Sequence, residues 1–164
     1  MLFRSMRPLV LLARRFETGV RDRFERRLIA AFAEPLRRAL RDSSADVRRQ
    51  AALGVGGRKA SALAMPLVVA LEEEKDPEVV RELIFALGRS GSPDSVQALS
   101  KIAQPSGKLF GRKPSVLRII AVEALRVAGT PAAIGTLQNL ANDSDKQVRA
   151  AAQQSLSELS LKRP

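Results

Sequence analysis

The chain has 164 residues, with 28 Lys and Arg against 17 Asp and Glu for a formal net charge of +11, and it holds no His, Cys, Trp or Tyr. Those absences exclude imidazole as general base, thiolate as nucleophile, the usual nitrogen and sulfur ligands of zinc, and any disulfide framework. The length suits one main domain, and no run reaches the roughly 18 apolar residues that span a bilayer.

Charge is concentrated at the beginning of the chain, where residues 1–50 carry +7 of the total. Arg4, Arg7, Arg14 and Arg15 precede the first acid, Glu17, a pattern like that of a mitochondrial presequence. The preferred reading is an N-terminal helix of an Arg-rich cytoplasmic protein, with a mitochondrial or peripheral membrane location as alternatives. The apolar core from Pro8 to Ala13 is too short for a secretory signal and no small-residue cleavage site comes after it. From Pro8 to Ala33 the spacing predicts a long amphipathic helix stopped by Glu34-Pro35. Leu12, Phe16, Val20, Phe24, Leu28 and Phe32 recur every fourth residue, with Arg14, Arg21, Arg26 and Arg27 largely beside or opposite them. Segment 1–34 is therefore read as a basic unit of its own. It would cap the first helix pair of residues 35–164, form a partner or self-association seam, or lie in an anionic membrane surface.

Residues 35–164 read as a repeat of helix pairs. Arg48, Val80, Arg118 and Arg149 occupy one position in successive second helices, separated by 32, 38 and 31 residues. Three residues on lie Ala51, Leu83, Ala121 and Ala152, and seven on lie Val55, Leu87, Leu125 and Leu156, all on one helical face. The first helices keep the same beat through Leu40, Leu71, Ile102 and Leu140, so a single insertion falls between Ile102 and Val116. Asp76-Pro77, Ser92-Pro93 and Thr130-Pro131 mark helix starts, Ser144 with Gln147 reads as a capping box, and Gly57, Gly91 and Gly129 separate helices. No stretch alternates with period two for long enough to make a sheet. The fold class expected is all-α, an α-solenoid of about four helix pairs preceded by an amphipathic helix.

The insertion, at about 104–114, reads as a basic loop with Lys108, Arg112 and Lys113 around Leu109-Phe110. Gly107-Lys108 is not a phosphate-binding loop, since the upstream glycine spacing and the hydroxyl residue after the lysine are missing. Lys108, Phe110, Arg112 and Lys113 are candidate contacts, because loops of this kind project from one edge of a solenoid.

Asp46-Val47-Arg48 through Gly56, Asp76 to Arg81 through Gly88, Leu117-Arg118 through Pro131, and Asp143 through Arg149 together resemble HEAT repeats. The likeness is to the short bacterial type also called phycobilisome-lyase HEAT-like repeats. It implies a ladder of ion pairs between repeats, with Asp42 matched to Arg48 and Asp143 to Arg149. At Val80 the second repeat lacks the Arg, and the third lacks the Asp. HEAT-like proteins include scaffolds, adaptors, lyase subunits and DNA glycosylases. The glycosylases, as a family, work with aromatic residues and a catalytic Asp in the groove; this chain has no Trp or Tyr, and no Asp falls on a second-helix face that would line it. Glu72, Glu73 and Glu74 with Asp76 read as a solvated helix end rather than an acid and base pair.

Positions one and five after the anchor normally carry polar side chains on the concave face. Here they are Arg49 and Leu53, Arg81 and Phe85, Ile119 and Glu123, then Ala150 and Gln154. Leu53, Phe85 and Ile119 beside Arg49 and Arg81 suggest a groove with an apolar floor and a cationic rim. The expectation is a non-enzymatic adaptor without cofactor, metal or small-molecule substrate, holding an acidic or amphipathic protein segment. The alternative is electrostatic attachment to an anionic membrane or, ranked below it, nucleic acid, through the N-terminal helix and the insertion.

Overall fold

The structure, a computed structural model, describes residues 27, 31, 33–56, 63–105 and 114–161. The N-terminal stripe from Leu12 to Phe32, Gly57 and the four insertion residues Lys108, Phe110, Arg112 and Lys113 lie outside them. Contacts divide the chain into two units, Met1–Leu36 and Arg37–Pro164. In the first, the described residues are helical.

In the second unit, helical residues 37–39 are followed by α1 (Ala45–Gly56), α2 (Ala64–Glu73), α3 (Pro77–Ser90), α4 (Pro93–Ala103), α5 (Ser115–Ala128), α6 (Pro131–Leu140) and α7 (Lys146–Leu161). There is no strand among the described residues. Helices α1, α3, α5 and α7 stack in sequence as one layer, and α2, α4 and α6 stack as a second, each pair closed by contacts of α2 with α3, α4 with α5 and α6 with α7. The unit is therefore an all-α solenoid whose pairs keep the sequence register.

Local chemistry explains where the helices start and stop. The Asp76 carboxylate accepts from the Glu78 and Val79 amides, Ser92 Oγ from the Ser95 amide and Thr130 Oγ1 from the Ala133 amide. Each cap is followed by proline at the first helical position, where no amide hydrogen is needed. Gly91 and Gly129 end α3 and α5 in the left-handed region, at φ 60° and 59°, and donate to Leu87 O and Leu125 O. The capping box expected at Ser144 is not formed. Asp143 binds the Asp145 amide and carries the turn one residue further, so Asp145 caps α7 by accepting from Gln147 and Val148.

The core lies between the two layers. Leu67 and Leu99 of the second layer and Leu83, Ile84, Leu87, Val122, Leu125 and Val148 of the first are fully buried. Each contributes about 1.5–3 kcal/mol relative to exposure. The seven-offset residues Val55, Leu87 and Leu125 are buried and Leu156 is half-buried, as the periodicity requires. Gly88 sets the spacing of α3 and α5, because a Cβ there would stand 2.6 Å from the carbonyl oxygen of Ala124. Among the described residues, no helix is long and apolar enough to cross a membrane.

Candidate functional site

Three directions on α3 define its surroundings. Gly88 meets α5, Ile84 lines the groove toward the second layer, and Phe85, Arg89 and Glu82 lie roughly 100–160° round the helix from Ile84, on the inner face, with Arg81 at its edge nearer α5. The same offsets on the stacked neighbours put Arg49 and Leu53 of α1 and Ile119 and Glu123 of α5 on that inner face. Leu53 is 41% exposed, while Phe85, Ile119 and Glu123 are half-buried. The Arg81 guanidinium lies over the Phe85 ring, 5.9 Å from its centroid, so the cation already has a π partner. Arg49 reaches Asp46 on its own helix at 3.6 Å. Sequence reasoning missed Glu82 and Arg89, an ion pair at 3.7 Å one row further along the same face.

The ladder between repeats is shifted by one unit from the sequence expectation. Arg48 does not bind the Asp42 carboxylate: its Nη1 donates to the carbonyl oxygens of Asp42 and Ser43, at 2.8 and 3.1 Å. Its Nε and Nη2 donate to both carboxylate oxygens of Glu74 in the next repeat, at 2.6 and 2.9 Å. Glu74 is thus not a solvated helix end. Its side chain is 5% exposed, and the Arg48 hydrogen bonds, with those from the Lys75 and Asp76 amides, pull its carboxyl down to about 2. Arg118, buried, repeats the arrangement: Nε donates to Ala103 O at 2.7 Å and Nη2 to the Asp143 carboxylate of the next repeat. Arg149 in turn binds the Asp143 carbonyl oxygen at 2.7 Å rather than its carboxylate. Each Arg therefore fastens the loop of its own pair, and Arg48 and Arg118 join it to the loop of the next. The planar guanidinium carries five donors, so Arg48 and Arg118 can bond a carbonyl of their own loop and a carboxylate of the next at once.

Where the ladder is interrupted, the surface opens. Val80 stands in the Arg position of α3, and beside it a groove of about 510 Å³ runs between α2 and α4. Its apolar lining comes from Met65, Val68 and Leu71 of α2, Val80 and Ile84 of α3, Ile102 of α4 and Leu117 of α5. Glu72, Asp94 and Lys101 are exposed at its edge. The sequence shows Val80 departing from the Arg of the repeat pattern, but not that a groove opens beside it. Among the described residues, no group of three or more Asp and Glu could hold a metal ion.

Two stacked layers of helix pairs, with Arg48 and Arg118 joining loops of successive pairs, define an α-solenoid. A model of the HEAT repeats family matches residues 33–110, and this stretch belongs to that family. The helix pairs continue past it to residue 161. No curated protein sequence matches the chain. Among solved structures, human deoxyhypusine hydroxylase in complex with glycerol is similar, with a TM-score of 0.62 and 22% identity. The match covers 79% of this chain and 44% of that one, so the chain spans less than half the length of the enzyme it resembles. At that identity the likeness concerns the fold.

Proposed function

We propose that the chain is a non-enzymatic HEAT-repeat adaptor that holds an acidic or amphipathic segment of a protein partner against its inner face. The observation that carries the reading is the row of Leu53, Phe85 and Ile119, apolar and at least partly accessible at positions that usually meet water. Arg81 over Phe85 makes an aromatic and cationic anchor of the type that concentrates binding energy. Rigid stacked helices present these groups with little ordering cost on binding. The lack of His and Cys in the whole chain supports a binding role over catalysis. A cytoplasmic location fits the lack of cysteine.

A second reading, attachment to nucleic acid or anionic membrane, is favoured by the +7 carried on residues 1–50. The test separates the two. Wild type and Phe85→Asp are used side by side for affinity capture from native lysate, with and without nuclease and membrane removal, alongside circular dichroism. A nuclease-resistant, membrane-independent protein captured by wild type and lost by at least about tenfold in the variant, at equal helicity, supports the adaptor. Capture indifferent to Phe85, or abolished by nuclease, overturns it in favour of the basic segments.

A further inference from the structure

The interruption of the Arg ladder at Val80 coincides with the groove between α2 and α4, on the opposite layer from the inner face. At every other anchor the Arg fastens its own loop, and Arg48 and Arg118 cross to the next. Val80 leaves that crossing unmade and supplies apolar wall instead. The groove runs the length of both helices, from Met65 to Leu71 on α2 and from Asp94 to Ile102 on α4. About 510 Å³ is enough for one bulky apolar side chain and the chain that bears it. Met65, 54% exposed, stands at one end of the groove. An elongated groove with a flexible thioether at one end suits a peptide better than a compact small molecule.

We propose that this groove seats a short segment of a protein partner carrying a bulky apolar residue next to a basic one. The commitment to a basic segment rests on charge. In a chain of net charge +11, the groove edge is locally acidic at Glu72 and Asp94, with Glu74 beneath them already neutralised by Arg48. Lys101 is the single cation among the lining residues. The apolar side chain fills the space over Val80, Ile84 and Leu117, and the partner's cation meets Glu72 and Asp94. The inner face, with Arg49 and Arg81 at its rim, has the opposite preference, so the two surfaces would hold segments of opposite charge.

The experiment uses the full chain and a fluorescein-labelled peptide with a Lys-Leu-Phe-Arg core, against peptides with Glu-Leu-Phe-Glu and Lys-Ser-Ser-Arg cores. Anisotropy is expected to report saturable binding of the first, with the other two weaker by about tenfold or more. Val80→Arg, which refills the groove, should abolish that binding, and Glu72→Lys with Asp94→Lys, both exposed, should weaken it by about tenfold without altering the fold. Phe85→Asp should leave it unchanged, which separates failure here from failure of the inner-face reading. No binding by wild type, equal binding of the acidic peptide, or indifference to both groove variants overturns the proposal. So does binding that emerges only after Leu109→Ser with Phe110→Ser, which would make the chain's own segment the occupant. Concentration-dependent self-association lost in Val80→Arg would assign the groove to a second copy and overturn it likewise.

Discussion

Glu74 shows how one side chain can be misread from composition and still be decisive. In a run of three glutamates it resembles a solvated helix end, but two hydrogen bonds from Arg48 and two from backbone amides enclose its carboxylate. Its folded value of about 2 lies below the ordinary value of 4.5, so the stabilisation is complete above about pH 5 and is lost as pH falls toward 2. Allowing for solvent that reaches Arg48, the contribution is on the order of 1–2 kcal/mol. Urea unfolding of wild type and Glu74→Gln should differ by that amount at pH 6 and converge near pH 2. A constant difference across the range would show that the carboxylate charge is not what stabilises the loop. The Asp145 carboxyl is lowered in the same sense, first by the hydrogen bond it accepts from Ser115, and adds to the acid sensitivity of the α5 and α7 starts.

At the scale of elements, helix spacing depends on residues that add nothing to a hydrophobic count. A methyl at Gly88 meets the Ala124 carbonyl oxygen at 2.6 Å, and backbone cannot yield as a side-chain tip would. Gly88→Ala is expected to push α3 and α5 apart at a cost of about 1–3 kcal/mol, seen as a lower melting temperature. Gly54 and Gly135, both within helices, have nothing within 4 Å of an added Cβ. Gly54→Ala and Gly135→Ala should therefore stabilise by roughly 0.5–1 kcal/mol, because alanine loses less backbone entropy in a helix. Equal effects at all three positions would rule out close approach as the reason for Gly88. The sequence marks all three as glycines in helical stretches. It carries no sign of which one faces another backbone, since that depends on how two helices separated by the insertion come together.

For the whole molecule, the crossings by Arg48 and Arg118 make two of the pairs depend on the one after them. Arg118 is buried and its carboxylate partner comes from Asp143, beyond α6. A chain ended at Gly129 loses Leu137, Leu140 and Val148 from the core and leaves a buried cation unpaired. Its unfolding midpoint should fall well below that of the full chain, and Arg118→Met in the shortened chain should recover part of the loss while destabilising the full one. A shortened chain of undiminished stability would mean that repeats do not support their neighbours, contrary to the behaviour of stacked arrays. By itself the sequence determined the helix pairs, their register, the caps at Asp76, Ser92 and Thr130 and the place of the insertion. These come from periodicity and from side chains bonding to backbone a few residues away. Tertiary structure alone decided that Arg48 takes Glu74 rather than Asp42, that Asp143 serves Arg118, and that Val80 opens a groove between α2 and α4. Those partners are brought together by stacking, and the distance between loops of successive repeats is not encoded in any local run of residues.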